Sequence, residues 1–167
     1  MEISLEKAAE MDAKSIFDIQ VKAFNPLLDE YKDYDTNPAN ETIEKVLERI
    51  NKPDGGFYKI LADDVLAGAI CVLWKEETQF WISPMFILPE YQGRGIAQKA
   101  IRLIEGLFPQ AETWELRTIS QEERNCYLYE KMGYRREDWK HSLNEKATLV
   151  HYKKYVNASS AKKKVLY

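Results

Sequence analysis

Residues 57–62, 65–75 and 79–88 read as three strands with almost no chain between them. Asp63-Asp64 is the whole of the first connection, and Glu76-Glu77-Thr78 the whole of the second. Parallel neighbours need a crossover of a dozen residues or more, so connections this short predict an antiparallel meander. The texture then changes. Residues 96–108 carry Ala97, Ala100, Ile101, Ile104 and Leu107 on one helical face, and Pro109 stops the pattern. Residues 113–117 alternate as a strand does. Strand, helix, strand in that order predicts a right-handed parallel crossover joined to the meander.

The flanks complete the layout. Ile3 and Leu5 alternate with polar neighbours and predict a short strand. Residues 12–24 predict a helix capped by Asp12 and ended by Asn25-Pro26. Residues 27–37 are acidic and aromatic without a period, and read as a loop or broken helix. Ile43, Val46, Leu47 and Ile50 mark a second helix that begins near Pro38. Ser120-Gln121-Glu122-Glu123 has the form of a capping box, predicting a helix from there to Met132, with Gly133 as its left-handed stop. Residues 134–140 and 147–155 close the layout as two strands. The fold class is α+β, a mixed sheet with helices on both faces, in three layers.

Composition limits the partners. With 167 residues, 45% of them hydrophobic and 31% charged, the chain suits one globular domain, taken as residues 1–156. Residues 157–167 hold Lys162, Lys163 and Lys164 and no acid, and read as a basic, disordered tail. The net charge is −3, and the body without that tail is more acidic still, which argues against nucleic-acid binding. Cys71 and Cys126 have no metal-like spacing, and His141 and His151 lack companions for a zinc site, so no metal is expected. No stretch approaches a membrane span, and the first residues do not form a signal peptide, so a cytoplasmic protein without membrane contact is expected.

The chemistry concentrates at 89–97, Pro-Glu-Tyr-Gln-Gly-Arg-Gly-Ile-Ala, between a strand and a helix. Gly93 and Gly95 allow a sharp turn. Their N–H groups, with those of Ile96 and Ala97, fall at a helix N-terminus and lack intrahelical partners, which suits a pyrophosphate. Arg94 adds a cation, and Lys99 and Arg102 follow on the helix surface. No Gly-Lys-Ser/Thr triplet is present, so this is not a P-loop. A dinucleotide fold would place its glycine loop after the first strand, not after a mid-chain meander.

Gln92-Gly93-Arg94-Gly95-Ile96-Ala97 resembles the Gln/Arg-x-x-Gly-x-Gly/Ala signature of the GNAT family of N-acetyltransferases. Residues 85–91 resemble the strand and turn that lead into it. Leu128-Tyr129-Glu130-Lys131-Met132-Gly133-Tyr134 is similar to the second signature, a helix ending in Tyr-Glu-Lys-x-Gly-Phe/Tyr. The resemblance covers the chain from Ile3 to about Tyr155. It implies a mostly antiparallel sheet of about seven strands with about four helices.

It also implies acetyl-coenzyme A as co-substrate. Main-chain groups of Phe86 and Ile87 would pair with its pantetheine arm, and one of their N–H groups would serve as an oxyanion donor. Gln92, Gly93, Arg94, Gly95, Ile96 and Ala97 would hold the pyrophosphate. Tyr129 would protonate the departing thiolate. The acceptor would be a small-molecule amine that attacks directly, on an enzyme that is a monomer or homodimer. Acetylation of a protein N-terminus or lysine, and a non-catalytic acyl-coenzyme A sensor, stand as alternatives.

The chain departs from the family pattern at Glu122, where the family often has an Asn; Asn125 is offset by three. Cys126 has no recognisable His partner and reads as a small buried hydrophobe. The loop with Asp29, Glu30, Tyr31, Asp33, Tyr34 and Asp35 reads either as a solvated loop or as one suited to a cationic acceptor, and Trp81, Ser83 and Met85 share a strand face that either packs in the core or lines the cleft.

Overall fold

Hydrophobic alternation and two tight turns build the sheet. The computed structural model describes residues 1–156; the tail expected at 157–167 lies outside them. The order is β1 (Ile3–Lys7), α1 (Ala13–Tyr31), α2 (Ile43–Asn51), β2 (Gly55–Ala62), β3 (Val65–Lys75), β4 (Gln79–Ile87), α3 (Ile96–Leu107), β5 (Thr113–Ile119), α4 (Glu123–Lys131), β6 (Arg135–Ser142) and β7 (Thr148–Tyr155). The seven strands form one sheet in the order β1-β2-β3-β4-β5-β7-β6. Asp63 and Asp64 (φ 48° and 66°) are a left-handed pair, the backbone that a two-residue hairpin turn needs, and Glu76 and Glu77 (φ 53° and 62°) are likewise left-handed within the three-residue connection to Gln79. The meander is therefore antiparallel, as expected, and β4 pairs with β5 in parallel.

Each face of the sheet has its own core. Ile96, Ala100, Ile101 and Ile104 of α3 pack with Phe80, Trp114 and their neighbours on one face. On the other, Ile16 of α1 and Val46 of α2 pack with Phe57, Cys71 and Phe86.

Three helix boundaries differ from expectation, the simplest being α2, which begins at Ile43 because Pro38–Asn40 forms a separate 3-10 turn. α1 does not stop at Asn25-Pro26 but continues to Tyr31, with Pro26 inside it. A proline there removes one main-chain hydrogen bond and crowds the preceding turn. The extra turn is held instead by packing of Leu27 and Tyr31 with Ile119 and Ala147, and ends when the Lys32 N–H reaches the Leu28 carbonyl at 2.9 Å. The capping box at Ser120 does not form. The Ser120 N–H bonds the Thr148 carbonyl (2.8 Å), which extends the β5–β7 ladder, and its hydroxyl donates to Gln121 Oε1. α4 thus starts at Glu123, and Glu122 takes the cap position.

The decisive feature is where pairing ends. β4 and β5 meet only over Gln79–Trp81 and Thr113–Glu115. β5 goes on along β7 as far as Ile119, while β4 goes on along β3 through an irregularity between Ile70 and Val72. The two strands part, and the far half of β4 has an open edge. Gly68 of β3 is what lets β4 lie this close. A Cβ there would collide with the Phe86 carbonyl oxygen and lie 3.1 Å from the Ile87 Cα.

Gly68→Ala should destabilise the fold by about 2 kcal/mol, because backbone and not a flexible side chain must yield. Chemical denaturation of both proteins checks this; an unchanged midpoint would contradict the close approach.

Candidate active site

After β4 the chain makes one turn of 3-10 helix, Pro89–Tyr91, and enters the glycine loop. Gly93 (φ 77°) and Gly95 (φ 76°) are both left-handed, a conformation that costs other residues about 1–2 kcal/mol. Gly95 is the N-cap of α3. Open space surrounds the Cβ position of each glycine, and residues 92–95 are exposed. The N–H groups of Gly93, Arg94 and Gly95 have no partner among the described residues. Those of Ile96 and Ala97 add the positive end of α3. Ile96 itself is buried and anchors the helix start in the core.

The loop's other side chains have distinct places. Gln92 Nε2 donates to the Ile87 carbonyl at 3.0 Å, so this side chain ties the loop back to β4. Arg94 lies over the Tyr91 ring at 5.4 Å and faces solvent. Ala97 is half-buried, and Lys99 and Arg102 are exposed on α3.

Two cavities share a wall, and one of them begins at this loop. The larger, about 600 Å³, runs from the Gly93–Ala97 loop along Met85–Ile87 to Tyr129, with Phe24 and Leu27 of α1 as its far wall. The smaller, about 280 Å³, lies between β4 and β5 where they have parted, and is lined by Ile82–Met85 and Leu116–Ile119. Phe24, Leu27, Met85, Glu122, Asn125 and Tyr129 line both.

Phe86 and Ile87 are not equivalent in this arrangement. The Phe86 carbonyl faces Gly68, and the Leu88 N–H bonds the Ala67 carbonyl, so both turn toward β3. Peptide groups along a strand alternate between its two edges. The groups that reach the open edge are those of Ile87 and Met85, and Phe86 does not belong with them as expected. Its side chain packs between Phe24 and Phe57.

Tyr129 is 8% exposed. Its ring sits against Tyr134 and Tyr152, and its hydroxyl has no hydrogen-bond partner among the described residues. Burial raises its pKa well above the ordinary phenol value, with the Cys126 thiol adding to the effect. A phenol of this kind stays protonated at neutral pH and can donate. Tyr31, pushed up to about 12 by burial and by Glu122, donates to Glu122 Oε2 at 3.2 Å. Cys126 is buried, and its thiol points to the carbonyls of Ile119 and Ser120.

Other sequence candidates divide. Glu30 lines the larger cavity and Asp33 the smaller, whereas Asp29, Tyr34 and Asp35 are exposed and line neither. Ser83 and Met85 line the smaller cavity, but Trp81 packs on His151 beside Arg117. Sequence reasoning gave no site role to Phe24, Leu27, Glu122 or Asn125. The spacing of 122, 125 and 129 along one helical face was the available signal. Among the described residues no group of three or more His, Cys, Asp or Glu could hold a metal, and no helix is long and apolar enough to cross a membrane.

Comparison with known proteins agrees with this geometry. The family model described as "Acetyltransferase (GNAT) family" matches residues 14–134, and the chain belongs to that family. The uncharacterized protein YrkN of Bacillus subtilis (strain 168) is 33% identical over 91 residues, 53% of this chain and 49% of its own length, so the chain matches about half of that relative. Spermidine N-acetyltransferase from Vibrio cholerae, solved with CoA and spermine, superposes with a TM-score of 0.72 at 15% identity, covering 92% of this chain and 95% of that one. Ribosomal-protein-S18-alanine N-acetyltransferase from Escherichia coli superposes with a TM-score of 0.74 at 9% identity, covering 93% and 94%. At these identities the structural likeness establishes the fold.

Gly95→Trp should leave the fold in place, since its side chain enters open space and the left-handed backbone costs only about 1–2 kcal/mol. Coenzyme A affinity, measured by calorimetry, should fall by roughly 100-fold or more, the loss of about 3 kcal/mol of phosphate contacts.

Proposed function

We propose that this protein transfers the acetyl group of acetyl-coenzyme A to a primary amine of a small molecule by direct attack in a ternary complex. The observation that carries this reading is the meeting of two cavities at one unpartnered phenol. One cavity begins at a loop of free N–H groups, and the other opens between parted strands.

In this reading the pyrophosphate lies on the N–H groups of residues 93–97, assisted by Arg94, while Gln92 keeps the loop in place. The pantetheine arm follows β4 and pairs with Ile87 and Met85 as an added strand would. The thioester then reaches the junction near Tyr129. A main-chain N–H on the open edge of β4 stabilises the negative charge that develops on the thioester oxygen. The amine comes from the smaller cavity, attacks the carbonyl carbon, and the thiolate leaves with the proton of Tyr129. Holding both reactants at one junction removes most of the entropic cost of their encounter.

The smaller cavity favours a small acceptor over a broad peptide groove, since about 280 Å³ lies at the low end for ligand pockets. Its apolar wall of Phe24, Leu27, Ile82 and Leu149 suits an alkyl or aryl body behind the amine.

Tyr129→Phe should lower kcat by roughly 100-fold, as the loss of a general acid does, with little change in coenzyme A affinity. Because the folded phenol is raised, the wild-type enzyme should keep its proton donor past the ordinary phenol range near 10, and activity should not fall through loss of this proton below about pH 10. Thiol release over an amine panel checks both. Coenzyme binding without turnover on any small amine or peptide would mark a sensor instead.

A further inference from the structure

The geometry points to Glu122 as the residue that receives the proton of the acceptor, and to an alkylammonium as the form in which the acceptor binds; this rests on the acetyltransferase reading above. Of the carboxylates around the junction, Glu30 lines only the larger cavity and Asp33 only the smaller. Glu122 lines both, beside Tyr129. It is half-buried, and only one oxygen is engaged: Oε2 accepts from the Tyr31 hydroxyl at 3.2 Å, while Oε1 has no partner among the described residues. Asp33 is already bonded to Asn37 Nδ2 at 3.1 Å. The second observation is Tyr129 itself, more than nine-tenths buried, with a hydroxyl that meets no protein group and lines the same two cavities. A donor and an acceptor thus share one junction, each with a free atom.

The reaction balances through these two groups. The bound ammonium gives one proton to the Glu122 carboxylate. The freed lone pair forms the C–N bond at the thioester carbonyl carbon, and the C–S bond breaks with its electrons on sulfur. The thiolate takes the Tyr129 proton. The second proton of the adduct nitrogen returns through solvent to the Tyr129 oxygen, and the proton on Glu122 passes to bulk. An ammonium and a thioester become an amide, a thiol and one released proton.

The charged and titratable groups that share this environment are Glu30 and Tyr31 on α1 and Asp33 in the turn after it. Arg117 on β5 and Arg124 on α4 line one cavity each, and Cys126 lies one turn along from Glu122. Carboxylates therefore outnumber cations around the acceptor, which favours a protonated amine.

The test uses E122Q, Y31F and the wild-type chain with n-butylamine, putrescine and tyramine. E122Q should bind coenzyme A as wild type does and melt within a few degrees of it, while kcat/KM falls by roughly 100-fold at pH 7. Its remaining rate should climb close to tenfold per pH unit between 6.5 and 8.5, because only the neutral amine from solution reacts; wild type should vary less over that range. Y31F removes the hydrogen bond and keeps the carboxylate, so it should lose less and keep the wild-type pH profile. E122Q acting at the wild-type rate, or Y31F losing as much as E122Q with the same steep profile, overturns the assignment. Wild-type coenzyme binding with no turnover of the three amines overturns the alkylammonium acceptor. Failure of the wild type to bind coenzyme A sinks the acetyltransferase reading, and the base with it.

Discussion

β4 and β5 are neighbours for three residue pairs and then separate, and both cavities of the candidate site lie in or beside that gap. The separation needs no flexible hinge. Each strand has a stronger commitment elsewhere: β5 to β7 over its whole length, β4 to β3 through the glycine contact at Gly68. A central strand normally has both edges satisfied, and an open edge in the middle of a sheet leaves main-chain groups that must find a partner. On β4 these are the groups of Met85 and Ile87. One is already met from within, where Gln92 donates to the Ile87 carbonyl. The rest face a cavity wide enough for a chain-like ligand to complete the sheet.

The same economy shapes the start of α3. The loop before it exposes N–H groups, yet it stays anchored because the residue on either side of the exposed stretch is fixed. Ile96 is sunk in the core, and Gln92 is tied to β4. Farther along, Glu105 of α3 accepts from both Tyr134 Oη (2.8 Å) and Lys154 Nζ (2.9 Å), which fastens the helix to the chain after α4 and to β7. A helix held at its start and again near its end can present its positive terminus in one place. That fixed presentation keeps the N–H groups of a pair of permissive glycines aimed in one direction, as an anion site at a helix start requires.

The meander, the crossover and the glycine loop were legible because each depends on local pattern: alternation, turn length, and glycine before a helix. Tyr129 drew notice through its place in the second signature, and Ile87 through the strand that leads into the first. What the sequence hid has common physical causes. Pro26 reads as a stop, but Leu27 and Tyr31 gain contacts with Ile119 and Ala147, residues about ninety or more positions away, and the helix continues. Phe86 reads as a pair with Ile87, but which edge a peptide group faces is set by the register with β3, and that follows from Gly68. The smaller cavity unites α1, β4, β5 and α4, so no single stretch of sequence announces it.

Ser120 shows how one local conflict reaches the chemistry. As a helix cap it would have drawn Glu122 into the first turn of α4. The sheet claims it instead, since its N–H extends the β5–β7 ladder to Thr148, and Gln121 reinforces the claim by accepting from the Thr148 N–H at 2.9 Å. The helix then begins later, and Glu122 becomes the residue at the bend between strand and helix. From there it reaches Tyr31 across the gap and stands one helical face with Asn125 and Tyr129. The extension of α1 past Pro26 supplies Tyr31 at the matching place. Two departures from local preference, one on α1 and one before α4, thus meet in a single hydrogen bond beside the wall that the two cavities share. A sequence that obeyed its local signals at both points would have kept the sheet and the glycine loop, and lost the pairing of carboxylate and phenol at the wall the two cavities share.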